Sequence, residues 1–247
     1  MDGSIAPGFY GKVPGLGDFI TRRLPRAFVD PWDAWLQQAL HASRGQLGEG
    51  WLDAYLTSPL WRFVLDAGLG GPEAWAGVMM PSVDRVGRYF PLTLACPLAA
   101  GADPCLALAA GEAWFTGVED LLLAALDDEE FDVDAFEARV TALPPAAVAD
   151  AAACAGTRHA DGWNVELPEA SLAAGCAPAL SALARASFGA CSFWLTTGSE
   201  TIAPQFLVRA GLPAPLGFTA FLSAAAAPAG AAGGGDGGDY SALLADE

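Results

Sequence analysis

Hydrophobic residues first recur at helical spacing in the segment after Asp30-Pro31. Trp32, Trp35, Leu36, Ala39 and Leu40 stand at offsets 0, 3, 4, 7 and 8, which places them on one face of a helix. An aspartate followed by proline is typical of a helix start, because the carboxylate accepts free N–H groups and proline suits the first helical position. The pattern therefore predicts an amphipathic helix that begins at Asp30. A shorter helix is predicted over residues 51–56.

Apolar and polar residues alternate over residues 60–65, with Trp61, Phe63 and Leu65 on one face and Arg62 on the other. This alternation predicts a strand. Further strands are predicted from the apolar runs on either side of the loop VDRVGR within residues 75–98, and at 191–196 and 205–208. A short strand over residues 9–13 is expected to end at a proline and a turn over residues 14–18.

The strands within residues 75–98 are nearly continuous in apolar residues, as expected of central strands that are buried on both faces. The sequence therefore predicts an α/β or α+β fold, with a central sheet covered by helices on both sides. One long apolar helix is predicted over 106–126, a more exposed helix in the acidic segment that follows, a loop over 156–163 and a helix over 179–186. We expect one domain over residues 1–222 and a flexible alanine- and glycine-rich tail over 223–247.

The composition favours a globular protein, since 53% of the 247 residues are hydrophobic. Charged residues interrupt the most apolar helical region, and the first residues do not read as a secretory signal, so we expect a cytoplasmic protein without a membrane span. The five cysteines are odd in number and widely spaced, which favours buried reduced thiols over disulfides or a zinc site.

The net charge of −17 is unevenly distributed along the chain. Residues 1–88 carry eight of the twelve basic residues, and the remaining 159 residues are strongly acidic. An acidic surface repels nucleic acid and anionic lipid, so neither is expected as a partner.

A glycine-flanked lysine in the segment GFYGKVPGLGDF suggests a phosphate-binding loop at first sight. The spacing from Gly8 to Lys12 is too short for a P-loop, and Val13 stands where the magnesium-binding hydroxyl is required. The glycines are therefore interpreted as allowing a tight turn and close packing, and no cofactor is predicted.

Two polar segments next to buried strands hold the candidate site residues. The first segment contributes Lys12, Asp18, Arg22, Arg23 and Arg26, and the second contributes Ser82, Asp84, Arg85 and Arg88. Two interpretations of these residues stay open: structural ion pairs between arginine and aspartate, or a surface that binds an acidic partner. Solvent exposure of the arginines distinguishes the two. An enzymatic alternative is a metal-dependent hydrolase or phosphatase that uses Asp18 and Asp84, although neither histidine has the sequence context of a catalytic base.

The order of these segments closely resembles the TagF (ImpM) family of type VI secretion-associated proteins. The resemblance rests on GFYGKVPGLGDFITRRLPRAFVDPWDAWL, SPLWRFVLDAGLGG, WAGVMMPSVDRVGRYFPL and SFWLTTGS, and extends over about residues 8–220. Residues 100–170 carry no matching motif.

This resemblance implies a central, mostly antiparallel sheet between helices, similar to the longin fold. It also implies a cytosolic accessory protein that represses type VI secretion after translation. The implied mechanism is binding to a scaffold protein with a forkhead-associated domain, without catalysis. We expect the two signature segments, GKVPGLGDF and PSVDRVGRYFPL, to meet in space.

Overall fold

Seven strands form one antiparallel sheet in the structure, a computed structural model that describes residues 6–128, 130–144, 146, 156–159, 162–165 and 172–223. In chain order the sheet contains β1 (Gly8–Gly11), β2 (Ile20–Arg22), β3 (Trp61–Leu65), β4 (Trp75–Met80), β5 (Leu92–Pro97), β8 (Cys191–Thr196) and β9 (Gln205–Ala210). Their spatial order is β2-β1-β5-β4-β3-β8-β9, and every neighbouring pair is antiparallel. The strands β6 (Gly156–His159) and β7 (Gly162–Val165) pair separately as a hairpin.

Helices cover both faces of the sheet. The helices are α1 (Arg26–Leu47), α2 (Trp51–Leu56), α3 (Pro104–Ala110), α4 (Glu112–Leu126), α5 (Val133–Thr141), α6 (Leu172–Phe188) and α7 (Thr219–Leu222). Side chains of α1, α2 and α7 pack in one apolar core, and those of α3 to α6 pack in a second core across the sheet. The predicted fold class, an antiparallel sheet between helices, is confirmed.

The central strand β3 contributes to both cores, as its alternation predicts. Trp61, Phe63 and Leu65 belong to the aromatic-rich core under α1, and Val64 belongs to the opposite core. Arg62 is 3% exposed on that second face, and its guanidinium donates to carboxylates of Glu119 and Glu112 on α4. Burial of this cation is offset by paired hydrogen bonds, which also tie β3 to α4.

The predicted start of α1 at Asp30 is wrong, because the helix begins at Arg26 after the extended residue Pro25. Phe28 is fully buried and extends the apolar face by one turn toward the N-terminus. Pro31 consequently lies inside the helix, where its missing N–H removes a hydrogen bond to the carbonyl four residues before it. Burial of the aromatic face holds this turn helical in spite of the proline.

Three further boundaries differ from the sequence prediction. The apolar segment over 106–126 is two helices that meet at Gly111, where an added Cβ would lie 2.6 Å from the Ala107 carbonyl oxygen. The loop predicted over 156–163 overlaps the paired strands β6 and β7. The helix predicted over 179–186 extends over Leu172–Phe188. The predicted tail from residue 224 onward lies outside the described residues.

Among the helices of the described residues, none combines the length and the hydrophobicity that a membrane span requires. Cys96, Cys105 and Cys191 are buried free thiols, and Cys176 is a free thiol at the surface. Burial raises the pKa of the Cys96 thiol to about 11 and that of Cys105 to about 12, so both stay protonated and unreactive near neutral pH. Cys154 lies outside the described residues.

Candidate functional site

A buried ion pair joins the two signature segments. The Lys12 ammonium lies 2.8 Å from Oδ2 of Asp84, and the two side chains are 5% and 0% exposed. Lys12 follows β1, and Asp84 lies in the connection between β4 and β5. Because β1 pairs with β5, the ends of these strands bring the two residues together. The expected meeting of the two segments is therefore present in the fold.

Three further hydrogen bonds fix the same junction. The Ser82 hydroxyl donates to the Lys12 carbonyl over 2.7 Å, and the Arg85 N–H donates to the Leu16 carbonyl over 2.8 Å. The Arg88 guanidinium donates to the carbonyl of Gly17. We refer to Lys12, Ser82, Asp84, Arg85 and Arg88, with the turn over residues 14–18, as the junction.

Asp84 is held as a carboxylate by donors on both oxygens. Its Oδ1 accepts from the N–H groups of Val86 and Arg88, and its Oδ2 accepts from Lys12 and from the Arg88 guanidinium. Burial opposes ionisation, but these hydrogen bonds outweigh burial and hold the pKa of Asp84 well below its ordinary value. The carboxylate therefore organises the loop between β4 and β5.

This pKa shift predicts a loss of stability in acid. A carboxylate whose native pKa is depressed stabilises the fold fully above its unfolded pKa of about 3.9, and this stabilisation is lost as the pH falls toward the native pKa. The difference in unfolding free energy between the native chain and Asp84→Asn should accordingly shrink as the pH falls below about 4. Urea unfolding at a series of pH values measures this difference. A difference that stays constant down to acid pH would show that folding does not lower the pKa of Asp84.

Ser82 lacks the surroundings of a nucleophile. Its hydroxyl proton is committed to the Lys12 carbonyl, and its backbone N–H and carbonyl are both bound by the Tyr55 hydroxyl at 3.0 and 2.9 Å. Tyr55 on α2 therefore fixes the backbone of the junction at Ser82. No sequence signal marks Tyr55 for this role, since it lies 27 residues from Ser82 and reads as an ordinary apolar helix position.

The two aspartates of the enzymatic alternative occupy different environments. Asp18 is exposed and its Oδ1 accepts from the N–H of Phe19, whereas every acceptor direction of Asp84 faces a protein donor. Within the described residues, no group of three or more histidine, cysteine, aspartate or glutamate side chains could hold a metal ion. The geometry gives the hydrolase alternative no specific support.

The arginines lie at the surface. Arg85 and Arg88 are exposed at the junction, and Arg22 and Arg23 are exposed at the other end of the short strand β2. Arg22 pairs in register with Phe9, three residues before Lys12, which corresponds to about 10 Å along the strand. Arg26 is 94% exposed at the start of α1 and lies 3.9 Å from Asp30.

Only part of the predicted set is thus brought together. The junction contains Lys12, Asp18, Ser82, Asp84, Arg85 and Arg88. Arg22 ends β2, Arg23 follows it and Arg26 begins α1, and we refer to these three residues as the β2 edge. The sequence left open whether the arginines are surface cations or buried ion pairs. Arg22, Arg23, Arg85 and Arg88 are exposed, and the buried cation of the set is Lys12. Two of the exposed arginines are also ion-paired, Arg22 with Glu137 at 3.4 Å and Arg88 with the buried Asp84 at 2.7 Å.

Apolar groups lie next to these cations. Phe19 is 42% exposed, stacks on Tyr10 and lies beneath the Lys12 ammonium at 4.8 Å. Val86, between the two junction arginines, is 65% exposed. A groove of about 260 Å³ adjoins the junction and is lined by Ser82 and Val83 together with apolar side chains of α2, β4 and α4. Cationic and apolar groups together are the composition of a protein-binding surface.

Two glycines show why this segment is rich in that residue. Gly11 has a φ of 140° and lies so close to the Pro91 carbonyl that no side chain fits. An added Cβ on Gly15 would lie 2.5 Å from Cβ of Phe131. Both glycines serve close packing, as interpreted from the sequence.

A second concave region lies at the opposite end of the sheet and contains none of the predicted site residues. This pocket of about 650 Å³ is lined by Asp66 and Arg185 among others. The Arg185 guanidinium is bound by Asp66 and Asp103. Its donors are occupied by these partners and by Ser181, which indicates a structural network.

Comparison with known proteins places the signature segments within a described family. The model of the TagF N-terminal domain, described as type VI secretion system-associated, matches residues 8–143. The chain is also similar to the crystal structure of PA0076 from Pseudomonas aeruginosa PAO1, with 44% sequence identity and a TM-score of 0.73. That similarity covers 88% of this chain and 94% of the other. No curated protein sequence matches the chain significantly.

Proposed function

Because the chain belongs to the TagF family of type VI secretion system-associated proteins, we propose that it is a cytoplasmic negative regulator of that system. It acts after translation by binding a protein of the apparatus, and binding without catalysis restrains secretion. The proposed partner is a scaffold protein with a forkhead-associated domain, as the family resemblance suggests.

The observation that carries this proposal is the concentration of exposed cations around the junction of a strongly acidic chain. Arg85 and Arg88 flank the exposed Val86, and Arg22, Arg23 and Arg26 continue along the β2 edge. The chain as a whole has a net charge of −17. A cationic patch on such a molecule favours an acidic partner surface and orients its approach.

The packing of the junction suits it to binding. The backbone of the loop between β4 and β5 is fixed by Asp84, Tyr55 and the contact of Arg85 with Leu16. A surface that is rigid before binding loses less conformational entropy when a partner docks. The groove beside Ser82 and Val83 offers space for an apolar anchor of the partner, and the exposed Arg85 and Arg88 follow Val83 in the same loop.

A deletion and complementation experiment tests the function. Under conditions that repress secretion, deleting the gene should raise release of type VI effectors, and the native chain should restore repression. Affinity capture of the native chain from the same cells should recover the scaffold protein. Unchanged effector release after deletion, together with capture that contains no secretion component, would refute the proposal.

Charge reversal tests the surface. Arg85→Glu at the junction and Arg23→Glu on the β2 edge should each weaken repression, because both side chains are exposed and reversal opposes an acidic partner. The matched control is the double variant Thr197→Glu/Ala203→Glu, which makes the same net charge change at two exposed positions between β8 and β9, at the opposite edge of the sheet. Effector release is the readout, and immunoblotting checks that the variants accumulate equally. If the double variant impairs repression as much as Arg85→Glu, the effect is one of net charge and the assigned surface is wrong.

A further inference from the structure

The two edges of the main sheet differ sharply. The edge strand β2 has three residues, carries Thr21 and Arg22, and ends where Arg23 takes a φ of 62°. Short, charged edge strands resist pairing with another chain. The opposite edge strand, β9, has six residues without an internal proline and carries a single charge, Arg209. In the described part of the chain no strand covers its outer side.

The hydrogen bonds fix which groups of β9 face outward. The Gly211 N–H donates to the Ala190 carbonyl, in the same register that pairs Ala210 with Cys191. Because hydrogen-bonded positions alternate in an antiparallel pair, the odd-numbered residues of β9 bond to β8. The N–H and carbonyl groups of Phe206, Val208 and Ala210 therefore face away from the sheet. The Val208 carbonyl accepts instead from the guanidinium of Arg209 on the same strand.

The surroundings of this edge are apolar and nearly uncharged. Residues 172–223 contain three charged side chains, Arg185, Glu200 and Arg209, in a chain whose net charge is −17. Phe206 is 42% exposed on β9, and Leu183 and Phe188 on the neighbouring α6 are 47% and 56% exposed. Two copies of the chain therefore meet with little charge repulsion at β9, whereas most other surfaces would bring acidic groups together.

We propose that β9 pairs with β9 of a second copy of this chain, in an antiparallel arrangement centred on Val208, so that two sheets join into one. A two-fold axis at Val208 places Val208 opposite its own equivalent and Phe206 opposite Ala210. All three outward-facing residues then exchange both of their backbone hydrogen bonds across the axis, and the large Phe206 side chain faces a small one. The Val208 carbonyl has a second lone pair for this bond beside the one that accepts from Arg209.

The neighbouring registers are less favourable. A shift that centres the pair on Leu207 places Pro204, which has no N–H to donate, opposite Ala210. A shift that centres the pair on Arg209 places two guanidinium groups directly opposite each other. In the proposed register Arg209 faces Leu207. Two-fold symmetry is also the commonest symmetry of soluble oligomers.

The mass of the full chain in solution tests this pairing, and the test does not depend on the secretion function. Sedimentation equilibrium of the native chain should give twice the monomer mass of 25.3 kDa. Val208→Lys should weaken association by about tenfold or more, because a lysine on an edge strand opposes pairing and here faces its own equivalent. The control Ala203→Lys adds the same charge at an exposed position before the strand and should leave the dimer intact.

A second measurement covers the case in which Val208→Lys loses its fold. In a Cys176→Ser background, Val208→Cys should form an intermolecular disulfide under mild oxidation, since residues opposite each other in a hydrogen-bonded pair have Cα atoms about 5.5 Å apart. Gln205→Cys should not, because its equivalent lies several residues away along the partner strand. A native chain that is monomeric at every soluble concentration would overturn the proposal. A dimer that persists in Val208→Lys and forms no Val208→Cys disulfide would also overturn it. So would a monomeric chain that binds an extended segment of another protein at β9.

Discussion

Asp84→Ala is expected to lower the free energy of unfolding by about 3–5 kcal/mol, because it leaves the Lys12 ammonium buried without its partner. The loss should exceed that of Lys12→Met, since Asp84 also accepts from Val86 and Arg88. The double variant should cost less than the sum of the two single variants, because each substitution removes the group that the other leaves unpaired. Urea unfolding of the four proteins measures the coupling.

Asp18→Ala is the matched control for this cycle. Asp18 is also an aspartate of the junction, but its side chain is exposed and accepts a hydrogen bond from the N–H of Phe19. Its loss should change the unfolding free energy by at most about 0.5 kcal/mol. Additive losses for Lys12→Met and Asp84→Ala would contradict a direct pair between these side chains.

Trp32→Ala should also lower the free energy of unfolding by about 3–5 kcal/mol. Trp32 is 1% exposed, its ring packs against Phe28 and Phe63, and its indole N–H donates to the Thr93 hydroxyl over 3.0 Å. Truncation removes a large apolar surface, leaves a cavity between α1 and the sheet, and leaves the Thr93 hydroxyl without its donor. Thermal and urea unfolding measure the loss.

Two further substitutions serve as comparisons for Trp32→Ala. Trp32→Phe keeps most of the apolar volume and should cost less than alanine, since it loses mainly the indole hydrogen bond and part of the packing. Leu216→Ala, at a position that is 66% exposed, should cost little. If Trp32→Ala had the same urea midpoint of unfolding as the native chain, α1 would not be packed as described.

The parts of the fold that depend on local patterning follow from the sequence. The apolar face of α1 is confirmed, because burial on one face imposes the helical period directly. The alternation of β3 is confirmed as well, because successive residues face two different cores, one of which contains the buried Arg62. Helix boundaries were less predictable. Asp30-Pro31 has the residues of a helix start, yet burial of Phe28 extends the helix past it. The break at Gly111 is hidden because the residues on either side of it are similarly apolar.

Contacts between distant segments required the structure. That the two signature segments meet was expected from the family resemblance, but the burial of Lys12 against Asp84 was not distinguishable from an exposed pair. Arg62 reads as one polar residue of an alternating strand, and its carboxylate partners lie 50 and 57 residues further along the chain. Arg22 lies away from the junction because β1 and β2 pair Arg22 with Phe9. The number of residues between Arg22 and Lys12 in the sequence does not reveal this register.

The central claim is that the junction and the β2 edge form one surface for an acidic protein of the secretion apparatus. The most direct test is the affinity of the purified chain for the purified forkhead-associated scaffold protein at a series of salt concentrations, for the native chain, Arg85→Glu, Arg23→Glu and the double variant Thr197→Glu/Ala203→Glu. We predict that Arg85→Glu and Arg23→Glu weaken binding most at low salt, because exposed charges are screened within about 8–10 Å at physiological ionic strength. The double variant should bind as the native chain does. Equal affinities for all four proteins at low salt would contradict the assigned surface, and absence of binding by the native chain would contradict the assigned partner.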